Sequence, residues 1–276
     1  MTRATDTRDR GQRFGLCRLH QREEVLCESH VVSKTLHKWF KRQGPPSSAV
    51  NVISVAEPSG EMTIAQDGIK AYMLCNEAEQ LIGQSERHFK ELAFDRFVKA
   101  PRQPIVYGPW LARFGISVIW RFLEYGREQF PGWTSVVEMG GDKTAERWRR
   151  FLLSKAPDPS PYDLHMIPIV GDGLEIQNYI GTVIETILVR ADGDGLYACV
   201  TLAKLLLIGT IRDPYRNAWQ RTRIEPSGGT WGGAGTEMSV PEMVQRYVEC
   251  RASTNREALA SADALRKRLR RGQSAR

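Results

Sequence analysis

Cys17, His20, Cys27 and His30 fall within fourteen positions of the stretch LCRLHQREEVLCESHVVSK (16–34), in a 276-residue chain with five cysteines and five histidines in all. Thiolates and imidazoles packed this densely do two kinds of chemistry. They hold a borderline-soft cation, or they move protons near neutral pH. Cys17-Arg18-Leu19-His20 has the C-x-x-H spacing of a zinc knuckle, in which two ligands three apart on a tight turn share one tetrahedral ion. A second pair must come from elsewhere. Cys75 in MLCNEAE (73–79) supplies one member, and the residue three further on is Ala78, which has no donor. Cys17, His20 and Cys75 are thus the candidate zinc ligands. The fourth position is left to Glu79, Cys27 or water, or the metal has been lost. A plainer reading stands beside this one: His30 as a hydrogen-bonded histidine at a turn, Cys27 as a small buried apolar residue.

The order of these pieces resembles the HNH endonuclease superfamily. Cys-x-x-His comes first, then Ser29-His30 leading into VVSKTLHKWFK, then Leu74-Cys75-x-x-Ala78-Glu79-Gln80 opening a helix. More narrowly, it looks like a group of bacterial HNH-like proteins with C-x-x-C, S-H-I-I-P-K before an aromatic helix, and L-C-x-x-C-E. In that group the last helix carries a glutamate and a phenylalanine, here Glu86 and Phe89. A later helix has an F-x-x-S-x-x-W-R flavour, matched by Phe114, Ser117, Trp120 and Arg121. The resemblance spans roughly residues 14–125, and Ala78 and Ser33 depart from its pattern. It implies a treble-clef, ββα-metal module. In such a module a zinc knuckle is the staple, and His30 is the general base that polarises a water for attack on a DNA phosphodiester. A divalent ion (Mg or Mn) would be held from the helix by Glu79, with His88 in reach. Glu86 is read as orienting a catalytic group or as one half of a helix-surface ion pair. The resemblance equally fits a non-catalytic descendant, a scaffold that binds nucleic acid or protein.

These residues need elements to position them. The spacing of apolar residues predicts one long helix over 76–98, a buried helix over 109–126 that starts on Pro109 and stops at Gly126, and a short helix over 142–155. A short helix over 34–42 and strand-like pieces within 49–74 fill the gap after His30. Beyond residue 155 the chain turns β-branched, with ADGDG (191–195) as a hairpin turn and LYACVTLAKLLLIGTI (196–211) as buried strand. GGTWGGAGT (228–236) reads as a glycine-rich loop, without the Lys-Ser/Thr ending of a P-loop. Two capped helices close the chain, Ser239 with Glu242 and Thr254 with Glu257 marking their starts. The expected class is α+β: a disordered stretch over 1–13, an HNH-like module over 14–100, a mixed helical and β-sheet domain over 101–250, and a basic helix over 251–276.

The net charge of +7 sits mostly at the end. Residues 251–276 hold eight basic side chains against two acidic ones, so the remainder carries +1. Arg266, Lys267, Arg268, Arg270 and Arg271 could grip DNA phosphates, or form a solvated helix end. A protein partner would act through the C-terminal region. An odd number of cysteines argues against a disulfide framework and for a reducing compartment. With no apolar leader at the start, the expected location is cytoplasmic. No Ser-His-Asp order, H-E-x-x-H motif or dinucleotide fingerprint competes with the metal reading.

Overall fold

Arg13–Cys17 (β1) and Arg22–His30 (β2) pair as an antiparallel hairpin, and the Cys17–His20 segment is its turn. The computed structural model describes residues 13–32, 52–56, 61–65, 69–100, 103–129, 133–168, 184–191, 195–202, 205–212 and 222–232. The expected helix over 34–42, most of the first thirteen residues, the two C-terminal helices and the basic tail lie outside the described residues.

Lys70–Cys75 (β5) pairs with the other edge of β2, from Leu26 opposite Cys75 to His30 opposite Lys70, with a bulge between Cys27 and Glu28. Between them in the chain, Val52–Ala56 (β3) and Glu61–Ala65 (β4) make a separate hairpin. Side chains alternate across a strand. Arg22, Glu24 and Leu26 therefore share the face of Cys75, while Cys27 lies opposite Leu74 on the other.

Helix α1, Asn76–His88, begins directly on Cys75 and packs on β2 and β5. The long helix expected over 76–98 is interrupted. A π-helical turn over Phe89–Phe94 follows α1, and Asp95–Lys99 (α2) resumes the α-helix. The wider turn shifts the apolar face by one residue, so Phe94 is buried and Leu92 is exposed. Phe89 then stacks flat on Phe114, ring centroids 3.7 Å apart.

Ile105–Tyr107 (β6) leads into α3, Pro109–Gln129, which runs three residues past the expected stop at Gly126. Its last turn is held by ion pairs of Arg127 with Glu124 and Asp142, and of Glu128 with Arg18. Trp133–Glu138 (α4) and Gly141–Leu152 (α5) follow, α5 ending three residues short of the expected 155. Leu164–Pro168 (β7), Ile184–Ala191 (β8), Gly195–Leu202 (β9) and Leu205–Arg212 (β10) form an antiparallel sheet in the order β7-β10-β9-β8. Ala191 opposite Gly195 bears out the hairpin turn. The stretch 196–211 is buried strand as expected, but it divides into two antiparallel strands, β9 and β10, with Leu202 opposite Leu205. Gly229–Trp231 (β11) pairs with β6, so part of the expected glycine loop is strand. Gly228, at φ +106°, lies where a Cβ would come within 2.6 Å of the Tyr107 carbonyl oxygen. Only glycine permits that approach.

The fold is α+β. One cluster of buried residues runs from Cys17 to Trp231, with α3 packed against α1, α5 and the four-stranded sheet. Among the described residues no helix is long and apolar enough to cross a membrane. Gly209 on β10 marks a tight approach of that sheet to the helices: a Cβ there would sit 2.5 Å from the Trp148 ring and 2.9 Å from Ile119. The indole is held in place by its Nε1–H donating to the Tyr162 carbonyl at 3.0 Å. Gly209→Ala is therefore expected to lose about 1–3 kcal/mol through overpacking. A urea midpoint equal to the wild type's would disprove this.

Candidate metal centre

The hairpin turn brings two of the expected ligands to one point. Cys17 ends β1, and the chain reverses at once because Gln21 adopts φ 58° and its N–H donates to the Cys17 carbonyl at 2.8 Å. That curl aims His20 back at Cys17. Cys75, at the junction of β5 and α1, arrives from the third strand, and its N–H donates to Cys17 Sγ at 3.4 Å. Cys75 Sγ lies 3.3 Å from His20 Nδ1. The three ligand atoms fall within 4.8 Å of one another, so Cys17, His20 and Cys75 could together hold a metal ion. Zinc–sulfur and zinc–nitrogen bonds at tetrahedral angles would place sulfur and nitrogen about 3.6 Å apart. The donor set and spacing thus fit zinc with slight adjustment.

The turn itself is clamped from several sides. Leu19 is fully buried, and its carbonyl accepts from Arg149 Nη1 of α5 at 2.9 Å. The Arg18 N–H donates to the Met73 carbonyl at 2.9 Å, and its side chain pairs with Glu128 of α3. Burial first, then the Glu24 carboxylate, then Cys17, push the Cys75 thiol up to about 12, against a lowering contribution from the Ala78 N–H. Ala78 is fully buried in the first turn of α1.

The other sequence candidates spread out. Glu79 lies on α1 with Oε1 buried and without a hydrogen-bond partner. With burial and Cys17, it helps push the Cys27 thiol up. His88 is exposed at the far end of α1, its ring edge-on to Trp110. Nine residues of α-helix separate Glu79 from His88. They put about 13 Å of rise between the two and turn them to opposite sides. An ion at Glu79 is therefore out of reach of His88, against the expectation that the two act together. His30 closes β2, and its carbonyl accepts from Arg121 Nη1 of α3 at 2.8 Å.

That arginine ties the family-like residues into one network. Arg121 is 2 % exposed. Its Nε donates to the Ser117 carbonyl at 3.2 Å and its Nη2 to Glu86 Oε1 at 2.5 Å. Ser117 Oγ in turn donates to the Phe114 carbonyl at 2.7 Å. Glu86 is therefore not in a helix-surface pair; it meets a buried guanidinium from a different helix.

Two carboxylates beside the centre were not foreseen. Glu24 and Glu77 have ligand oxygens within 4.8 Å of each other and of a ring nitrogen of His20. Arg22 pairs with both. The available signal was strand alternation: counting on from the knuckle, positions 22, 24 and 26 share one face. Comparison with known proteins gives no match to a family model, to a curated protein or to a solved structure.

Proposed function

We propose that the first part of the chain is an HNH-like module: a treble clef stapled by zinc on Cys17, His20 and Cys75, and a metal-dependent DNA endonuclease with His30 as its general base. The observation that carries this reading is the convergence of Cys17, His20 and Cys75 at one point of the fold. The order of elements supports it too. β2 and β5 pair antiparallel and α1 follows at once, the strand-strand-helix order the family resemblance implies. His30 ends the first of those strands, its backbone held by Arg121. The orphaned oxygen of Glu79 suits a hard divalent cation such as Mg or Mn, which would supply charge stabilisation at the leaving oxygen. The imidazole of His30 would accept the proton of the attacking water. The basic tail, residues 266–271, would add phosphate contacts.

Ala78 and the separation of Glu79 from His88 favour a second reading. In it the zinc-stapled module is a scaffold without catalysis, and the C-terminal region binds a partner. Cleavage of supercoiled plasmid and single-stranded DNA, with magnesium or manganese, separates the two. The nuclease reading expects cleavage by the wild type and loss of at least about a hundredfold in His30→Ala, typical of removing a general base. No cleavage, or equal traces of it in both proteins, selects the scaffold.

A further inference from the structure

The position that Ala78 vacates has a neighbour of suitable chemistry. On the metal-centre reading, from which this inference follows, we propose that Glu24 of β2 is the fourth ligand, completing a two-thiolate, one-imidazole, one-carboxylate site.

The strand register sets this up. Leu26 lies directly opposite Cys75, and Glu24, two residues back, projects from the same face toward the knuckle. Across the hairpin Glu24 faces Gly15, so no side chain stands opposite it. A Glu24 carboxylate oxygen lies within 4.8 Å of a His20 ring nitrogen. Glu24 therefore approaches one of the three ligands, His20, and shares the strand face of a second, Cys75.

The competitors are placed less well. Glu77 also approaches His20, at 3.9 Å from Nδ1, but its side chain is 69 % exposed against 25 % for Glu24. Ordering a mobile surface carboxylate costs more rotamer freedom. Cys27 lies opposite Leu74, on the other face of the strand. Glu79 follows Ala78 by one residue, about 100° further round the helix. Arg22, paired with both Glu24 and Glu77, suits the role of an outer partner that orients a bound carboxylate. An oxygen in the fourth position gives a less thiolate-rich site than two complete cysteine pairs would. It also explains how a chain with alanine at position 78 can still close the shell.

The test uses the full-length protein. Bound zinc is counted after purification, and zinc and cobalt affinities are measured by competition with a chromogenic chelator. Wild type is compared with Glu24→Gln and Glu77→Gln. The proposal expects one equivalent of zinc in the wild type. It also expects at least about tenfold weaker binding and shifted cobalt d–d bands in Glu24→Gln, with Glu77→Gln like the wild type. Ala78→Cys placed in the Glu24→Gln background is expected to restore affinity and strengthen the thiolate-to-cobalt band. Wild-type binding with Glu24→Gln unchanged, or a loss shared equally by Glu77→Gln, overturns the assignment of Glu24 and leaves the three-ligand centre standing. A wild type that binds no zinc overturns the centre itself, and the fourth ligand with it.

Discussion

Arg121→Leu is expected to destabilise the protein by about 3–5 kcal/mol, the cost of breaking a buried ion pair from one side. The guanidinium is almost wholly buried, and three of its nitrogens have separate acceptors: the Ser117 carbonyl, the His30 carbonyl and Glu86 Oε1. Leucine fills part of the volume and satisfies none of these acceptors. Glu86, whose side chain is mostly shielded from water, would lose the guanidinium that balances its charge. Lysine is a poor substitute, since one ammonium cannot reach three acceptors in a fork. Removing both charges should be milder: Arg121→Leu with Glu86→Leu is expected to recover much of the loss, because the uncompensated carboxylate goes as well. Urea unfolding of the four proteins in the cycle measures this. If the single variant loses under about 1 kcal/mol, or the double variant is no more stable than the single, the network is not what holds α1, α3 and the end of β2 together.

That network also shows what a sequence can and cannot reveal. Glu86, Phe89, Phe114, Ser117 and Arg121 were legible as a spaced pattern, and each of them enters the contact region between α1 and α3. Their purpose was not legible, because helical periodicity says which face is apolar and nothing about which helix it meets. Arg121 lies 91 residues from His30 in sequence, yet it fixes that residue's carbonyl. Cys17, His20 and Cys75 were legible from ligand type and knuckle spacing, which are local rules. Glu24 was missed because its relevance depends on strand register, and register is set by a partner strand that lies some fifty residues away. The π-helical turn at Phe89–Phe94 was likewise hidden. FKELAF has ordinary helix formers, and only the demand that Phe89 and Phe94 both face the core selects the wider turn. The sheet of β7 to β10 gave the opposite case. β7, β9 and β10 are buried along nearly their whole described length, so an apolar run marked them as strand, though not the reversal between β9 and β10.

Loss of the metal is expected to act locally first. If zinc is the staple proposed here, Cys17→Ser, or exhaustive chelation of the wild type, removes one equivalent of zinc and lowers stability by about 3–5 kcal/mol. For a chain of this size that is a fall in melting temperature of roughly 10 °C. Small zinc domains lose their fold altogether without the ion, because binding energy is their folding energy. This chain has other anchors for the same turn. Leu19 is buried, Arg149 holds its carbonyl, and the Arg18 backbone is bonded to Met73. Those contacts limit the damage to the β1–β2 turn and the start of α1, while the core around Trp120, Trp148 and the four-stranded sheet persists. Hydrogen exchange reads the difference. Protection should fall over residues 15–22 and 73–80 and hold over 111–124 and 196–211. Equal loss everywhere would mean that the turn nucleates the whole fold. No loss on chelation, with zinc shown to have left, would mean that the protein clamps alone hold Cys17, His20 and Cys75 in place, and the ion would then be sought for its chemistry rather than for its grip.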